Sequence, residues 1–326
     1  MFYDDFSYPV RDSLEGIGGW GRTGNNSAFN IKIISPGLTY SGYSGSGIGN
    51  TTFFSNNTDG DICYHNITQQ TSGSVYMSFM IKIDSFTTTA TQGYCISFNQ
   101  GTGATLLNTK PYIKKVTSNT FNFGISKSTN APVFSGTVYS VNSTYLVVVK
   151  YTFASGSSTN DTAKIYVFSS GVPAAEPASP DAVQADGDDV TDIGNVILTN
   201  SYAQTGLKNS PVKVDGIRVG KSWATSILNS VSMISSEIPS SFSLSQNYPN
   251  PFNPSTKINY QIKSREFVSL KIYDIQGNEV STLVNKIMNA GTYEAQWNAA
   301  DLPSGVYYYK LFSGNFSGTK KMILVK

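Results

Sequence analysis

Few residues in this chain are equipped for chemistry, and their spacing is informative. His65 is the only histidine among 326 residues. No nucleophile motif surrounds it, and no G-x-S-x-G occurs. Glycoside hydrolysis needs two carboxylates flanking one bond. Only Glu15 and Glu176 precede residue 225, no E-x-D-x-x-E strand motif is present, and Glu176 sits between Ala175 and Pro177 in a loop. The chain is therefore expected not to be an enzyme. Hard oxygen ligands at short spacing suit Ca²⁺. "DAVQADGDDVTDIG" clusters Asp186, Asp188, Asp189 and Asp192 behind Asp181, and "NNTDGDI" adds Asn57, Asp59 and Asp61. Calcium is the one cofactor these residues point to; Asp/Asn/Gly turn chemistry is the alternative. Trp20, Tyr40 and Tyr43 lie in or near "GLTYSGYSGSGIGN". They are candidates for stacking on a glycan or for a subunit contact, with simple packing as the alternative. Cys63 and Cys95 form no CxxC pair, which excludes a zinc site. They read either as one disulfide, closing a loop of roughly 30 residues worth about 3 kcal/mol, or as two buried thiols.

The elements that must position these residues are almost all strands. "SVYMSFMIKID", "YCISFNQ", "TFNFGISKS", "TYLVVVKYTFA", "AKIYVFSS" and "VKVDGIRVG" are short, β-branched and aromatic, bounded by Gly, Asn, Ser or Pro. Only "SWATSILNSVSMI" approaches a helical period. Many short strands at regular spacing predict an all-β sandwich or jelly roll. Charged residues are only 13% of the chain and the net charge is +2, which argues against nucleic acid as the main partner. No apolar run is long enough for a helical membrane span.

Residues 225 to 244 are Ser-rich and read as a linker between a first domain (1 to 224) and a second (245 to 326). Beyond the linker a new strand series begins. "TKINYQI", "VSLKIYD", "GTYEAQW", "LPSGVYYYKLF" and "GTKKMILVK" alternate apolar and polar residues over about 80 positions, the rhythm of an immunoglobulin-like sandwich. Lys and Arg minus Asp and Glu is 9 − 5 = +4 over 243 to 326, and 14 − 15 = −1 over 1 to 226.

"YPNPFNPSTKINYQI", "VSLKIYDIQGNEVSTLV", "AGTYEAQWNAADLPSGVYYYKLFSG" and "TKKMILVK" together resemble the type A C-terminal sorting domain of type IX secretion cargo. The resemblance implies export to the cell surface or beyond, recognition by the type IX machinery, and an N-terminal signal peptide already removed ahead of "FYDDFSYP". It assigns the sorting signal to Pro249, Asn250, Pro251, Phe252, Asn253, Pro254, Gly277, Gly305, Lys320, Lys321 and Lys326. The prolines themselves are expected to hold an extended lead-in, with Asn253-Pro254 turning the chain into its first core strand. A lead-in short of donors is also guarded against pairing with a wrong edge.

"DDFSYP", "GGW", "FGISKS", "TYLVVVKYTF" and "VKVDGIRVGKSWA" resemble a laminin-G-like or concanavalin-like jelly roll of secreted surface proteins. That likeness makes the strand near Phe6 a neighbour of the strand Val212 to Val219. "DSL" and "DTA" resemble a bacterial O-glycosylation motif, making Ser13 and Thr162 candidate acceptors. The expectation is a secreted, non-enzymatic structural or adhesive surface protein, with a self-associating filament or surface-layer subunit as its specific form. The alternative is a lectin-like module binding surface glycans.

Overall fold

The computed structural model describes residues 2–23, 31–43, 46–47, 49–54, 62–102, 107–173, 175–199, 206–207, 209–227, 231–235, 237–299 and 302–326. They divide into two units, Met1–Ser226 and Ile227–Lys326. Both are all-β apart from the five-residue helix Trp223–Ile227.

The N-terminal unit is a jelly-roll sandwich of two antiparallel sheets. The eight-stranded sheet runs Ala182–Gln184, Thr162–Phe168, Thr144–Phe153, Gly73–Ile83, Val212–Gly220, Thr51–Phe54 and Lys32–Ile34. Phe2–Asp4 also pairs with Val212–Gly220, placing Phe2 opposite Val219 and Asp4 opposite Ile217. The first and last strands of the unit are thus neighbours, as expected. The nine-stranded sheet runs Val133–Phe134, Thr120–Lys127, Leu107–Lys115, Ile96–Asn99, Ile193–Thr199, Ile62–Gln70 and Gly21–Thr23. Tyr139–Ser140 and Gln92–Gly93 pair with its Thr120–Lys127 and Leu107–Lys115 strands.

Side chains alternate across a strand, so one set from each sheet meets its opposite number. Val75, Met77, Phe79, Ile81, Val147, Val149, Ile165 and Val214 face Phe98, Ile113, Phe121, Phe123, Ile125, Val196 and Leu198 in one core. The Gly73–Ile83 strand is buried on both faces, because loops and the short helix lie over its other side. That is why "SVYMSFMI" reads as a continuous apolar run rather than an alternating one. The "VKVDGIRVG" strand is not regular: its register slips between Asp215 and Arg218. Gly216 takes a left-handed φ of 60° there, a conformation that a side chain disfavours.

The C-terminal unit is a smaller sandwich of two four-stranded sheets. One runs Val231–Ser235, Gly291–Asn298, Ser255–Ile262, Ser243–Leu244; the other runs Glu279–Met288, Glu266–Tyr273, Gly305–Ser313, Phe316–Leu324. Ile258, Tyr260, Leu270, Ile272, Trp297, Tyr309 and Leu311 fill its core. The segment read as a linker, 225 to 244, is not a plain connector. Val231–Ser235 pairs with Gly291–Asn298 and Ser243–Leu244 with Ser255–Ile262, so serine-rich composition hid two edge strands. Backbone pairing does not depend on side-chain type at an edge, which is why composition misled.

Candidate functional site

The three aromatic residues expected to offer stacking surfaces are buried instead. Trp20 is 1% exposed and its indole Nε1 donates to Asp4 Oδ2 at 2.7 Å. Tyr43 is 4% exposed and its hydroxyl reaches the Gly216 carbonyl oxygen (2.5 Å) and Ser78 Oγ (2.8 Å). The Tyr40 hydroxyl donates to the Gly171 carbonyl at 2.9 Å. All three pin loops, and none presents a ring face to a ligand. The reason is local: a buried Tyr or Trp finds a partner for its polar tip. Around them lies a buried charge cluster. Asp4 also accepts from the Phe6 amide and the Tyr8 hydroxyl, Asp5 pairs with Arg218 Nη2 at 2.8 Å, and Asp215 accepts from the Leu38 and Gly216 amides. Burial pushes the Asp4 and Asp215 carboxyls up despite these bonds. The cluster locks "DDF" to "VDGIR" and serves closure of the sandwich.

His65 is packed in the same region, stacked on Phe2 with ring centroids 4.2 Å apart, its nitrogens 2.8 and 3.0 Å from the Asn66 and Gly18 carbonyl oxygens.

The aspartate series does not converge. Asp189 Oδ1 takes the Lys127 ammonium at 2.5 Å and the Asp161 amide at 3.0 Å, while Oδ2 takes the Asn160 amide. Asp192 Oδ1 caps the Gly101 amide at 2.8 Å. Asp186 and Asp188 are both exposed. Among the described residues no group of three or more His, Cys, Asp or Glu side chains is placed to hold a metal ion. The calcium expectation at Asp186, Asp188, Asp189 and Asp192 is corrected accordingly: Lys127 supplies the positive charge that a cation would. Asn57, Asp59 and Asp61 lie outside the described residues.

Cys63 and Cys95 are buried thiols, not a disulfide. The strand Ile193–Thr199 lies between them: Leu198 is opposite Cys63, and the Thr199 amide donates to the Cys95 carbonyl on the other side. Two strand spacings of about 4.8 Å separate their backbones, beyond the roughly 7 Å a disulfide spans. Burial pushes the Cys95 thiol up to about 12. Ser13 Oγ caps the Glu15 amide in a loop, and Thr162 begins a strand opposite Thr152.

The two glutamates lie in loops and bond to different sheets. Glu15 pairs with Arg22 of the nine-stranded sheet at 3.1 Å. Glu176 sits over the eight-stranded sheet, accepting from the Tyr76 hydroxyl (2.7 Å), the Tyr166 hydroxyl and Lys150 Nζ (2.9 and 3.0 Å). Burial opposes its ionisation, yet these donors outweigh it and hold the carboxyl below its ordinary value. The Trp223 indole donates to the Pro173 carbonyl at 3.0 Å. The loop 171–176, less its one undescribed residue, is therefore strapped to the sheet by Tyr40, Trp223 and Glu176. A fully bonded carboxylate under a strapped loop is an anchor.

The other sheet offers what the aromatic trio does not. On the nine-stranded sheet, Ile113 and Phe123 point into the core, so Tyr112, Lys114, Asn122 and Gly124 point away from it. Tyr94 and Tyr112 have ring centroids 5.2 Å apart, and Tyr112 and Phe134 6.5 Å. The Phe134 ring lies against Gly124, where a Cβ would sit 2.6 Å from its Cδ1. Lys114 Nζ stands 5.1 Å from the Phe134 ring centroid and Lys110 Nζ 5.8 Å from that of Tyr94. Tyr112 and Phe134 are half-buried and Lys114 is exposed, whereas Tyr94 (5% exposed) and Lys110, which donates to the Ser128 carbonyl, are buried and back the row. This row crosses three neighbouring strands, Leu107–Lys115, Thr120–Lys127 and Val133–Phe134, with Tyr94 in the connection that precedes Ile96–Asn99. Sequence reading missed it, although the outward alternation K-x-Y-x-K in "KPYIK" beside "FNFGI" carries the signal.

In the C-terminal unit the proline segment closes one side of the sandwich. Tyr248 exchanges backbone hydrogen bonds with Lys257 of one sheet at 2.9 and 3.0 Å. Four residues on, the Phe252 amide donates to Ile323 and the Val325 amide to Phe252, tying the segment to the last strand of the other sheet. Asn250 Oδ1 accepts the Ile323 amide at 2.9 Å. Phe252 is buried against Trp297, with centroids 5.4 Å apart. The Pro254 carbonyl accepts the Ala299 amide. The segment is not simply extended, since the Tyr248–Pro249 and Asn250–Pro251 peptides are cis. Gly277 lies in the hairpin turn capped by Asp274, Gly305 opens a strand opposite Leu324, and Lys320 and Lys321 lie on the last strand. The Lys326 amide donates to Ser304 Oγ. The sorting residues thus gather largely along one strand and the segment beside it.

Among solved structures, this chain is similar to alginate lyase Aly36B (13% identity, 60% of this chain and 85% of that one, TM-score 0.41). It is also similar to the heptameric SAP-like pentraxin from Limulus polyphemus (11%, 52% and 75%, TM-score 0.34). A third similar structure is the binding domain of botulinum neurotoxin DC in complex with SialylT (9%, 91% and 90%, TM-score 0.34). No curated protein matches the chain. Residues 246–326 match the family described as Secretion system C-terminal sorting domain. With its motifs, strand order and sandwich in place, this region is a type IX secretion C-terminal sorting domain, and the protein is cargo of that route, destined for the outer surface or beyond.

Proposed function

We propose that the N-terminal sandwich is a non-enzymatic adhesive module which the sorting domain delivers to the cell exterior. The observation that carries this reading is the outward pair Tyr112 and Phe134 with Lys114 beside it, backed by the buried Tyr94. Aromatic side chains offer large contact area at low entropic cost, which suits a binding surface. That its two glutamates pair with Arg22 and Lys150 beside different sheets supports the non-enzymatic part of the reading. The full chain should bind members of an array of neutral and acidic glycans, and Phe134→Ala should abolish that signal with thermal stability preserved. An array on which nothing binds sinks the reading.

Self-assembly is a second reading. On one face of the C-terminal unit, Phe267 lies opposite Ile287 with Phe312 diagonal to them, all three about half exposed. Two copies meeting there would cover this apolar patch. Sedimentation of the full chain at rising concentration should then show association that Phe312→Ser removes; a monomer throughout rejects it.

A further inference from the structure

We propose that the outward face of the nine-stranded sheet, along Tyr112, Lys114 and Phe134, binds an acidic polysaccharide. The inference rests on the adhesive reading above and names its ligand class.

Charge carries the first step. The N-terminal region to residue 226 holds 15 acids and 14 bases. None of those acids lies on any of the nine strands of this sheet, while Arg22, Lys110, Lys114, Lys115 and Lys127 do. Lys127 is spent internally on Asp189, and Lys115 donates to the Thr87 carbonyl. Lys110 is buried and donates to the Ser128 carbonyl. Lys114 remains as the exposed cation of the outward side, beside the Phe134 ring. The strands around Lys114 therefore carry positive charge and, among the described residues, no acid of their own.

Geometry carries the second step. Lys114 is flanked in register by Gln92 and Asn122, both half-exposed amides. One strand position away the Phe134 ring rests on Gly124. A pyranose laid on the Phe134 or Tyr112 ring would keep its hydroxyls near the amides. Its carboxylate or sulfate would then come within reach of the Lys114 ammonium. Apolar ring, amide and cation at one spot match the three chemistries of an acidic sugar. A neutral glycan would leave Lys114 unused. Double-stranded DNA carries a charge every ~1.7 Å of axis, far denser than one exposed lysine can match.

The test is calorimetric titration of the full chain with polygalacturonate, dextran and duplex DNA. Polygalacturonate should bind, more weakly as salt rises. Lys114→Glu should weaken it at least tenfold and Lys114→Gln less, each with unchanged melting temperature, as suits an exposed side chain. Phe134→Ala should weaken it too. Dextran bound in place of polygalacturonate overturns the ligand class but leaves the adhesive reading standing. Polygalacturonate affinity indifferent to Lys114→Glu overturns the assignment of the face. DNA bound as tightly as polygalacturonate overturns the choice of polysaccharide. Failure of all three probes, together with an empty glycan array, overturns both readings.

Discussion

Asn250 and Ile323, 73 positions apart, are joined by one hydrogen bond: the side-chain oxygen of the first accepts the backbone N–H of the second at 2.9 Å. A prolyl segment cannot donate a full ladder of its own. Here an asparagine side chain and the Phe252 backbone do the pairing, so the last strand has no open edge over its final residues. An uncovered edge would be a template for wrong pairing, and this unit must stay soluble during export.

Phe252 should matter more than Asn250 for stability. Phe252→Ala empties a buried site against Trp297 and is expected to cost about 3–5 kcal/mol. Asn250→Ala removes one exposed hydrogen bond, about 0.5–1.5 kcal/mol. Denaturant unfolding of the full chain measures both; equal losses would contradict this account of the segment.

Trp20→Phe should destabilise the N-terminal unit by about 1–3 kcal/mol, because Asp4 loses a buried donor. A ring displayed for a ligand would lose binding instead and leave the melting temperature alone. Thermal denaturation separates the two outcomes.

Asp189→Asn should cost about 3–5 kcal/mol by leaving the Lys127 ammonium, 0% exposed, without its counter-charge. Calcium should not raise the wild-type melting temperature through this cluster, and EDTA should not lower it. A calcium-dependent rise lost in Asp189→Asn would restore the metal reading.

Glu176 sets a pH dependence whose sign is fixed. Its carboxyl releases its proton at lower pH in the native state than in the unfolded chain, whose value is near 4.5. Between the two values the unfolded chain binds more protons, so stability rises with pH and is complete above the unfolded value. Glu176→Gln should therefore destabilise at neutral pH by about 1–2 kcal/mol, discounted for partial exposure. That difference should fade as pH falls through the native value. An acid-side difference as large as the neutral one would refute it.

Dithiothreitol should leave the unfolding midpoint unchanged, because Cys63 and Cys95 are not bridged. Neither thiol should react with a thiol reagent before the unit unfolds, since both are buried and the Cys95 thiolate is disfavoured.

Much of the architecture was legible along the chain. The alternation in "STKINYQI" puts Ile258, Tyr260 and Ile262 into the core as read. The "VDGIRVG" strand lies beside the first strand as the jelly-roll likeness implied. The edge strands within 225 to 244 were not legible, because a Ser-rich edge is held by its backbone and carries no hydrophobic pattern. Nor was the role of the aromatics. Tyr43 and Phe134 both sit in Gly/Ser-containing stretches, and nothing local distinguishes them.

By itself, then, the sequence determined that this chain is built of strands and carries a sorting domain over 246–326. Period-two hydrophobicity and the order of the C-terminal motifs are properties of neighbouring residues. Only the tertiary structure decided which rings and charges face solvent. Tyr43 is covered because the "VDG" bulge brings the Gly216 carbonyl to its hydroxyl from 173 positions away. Lys127 is neutralised because Asp189 folds onto it from 62 positions away. Phe134 stays reachable because Gly124, on the neighbouring strand, has no side chain to displace its ring. Burial and charge pairing are sums over residues distant in the chain, and those sums exist only once the sheets have closed.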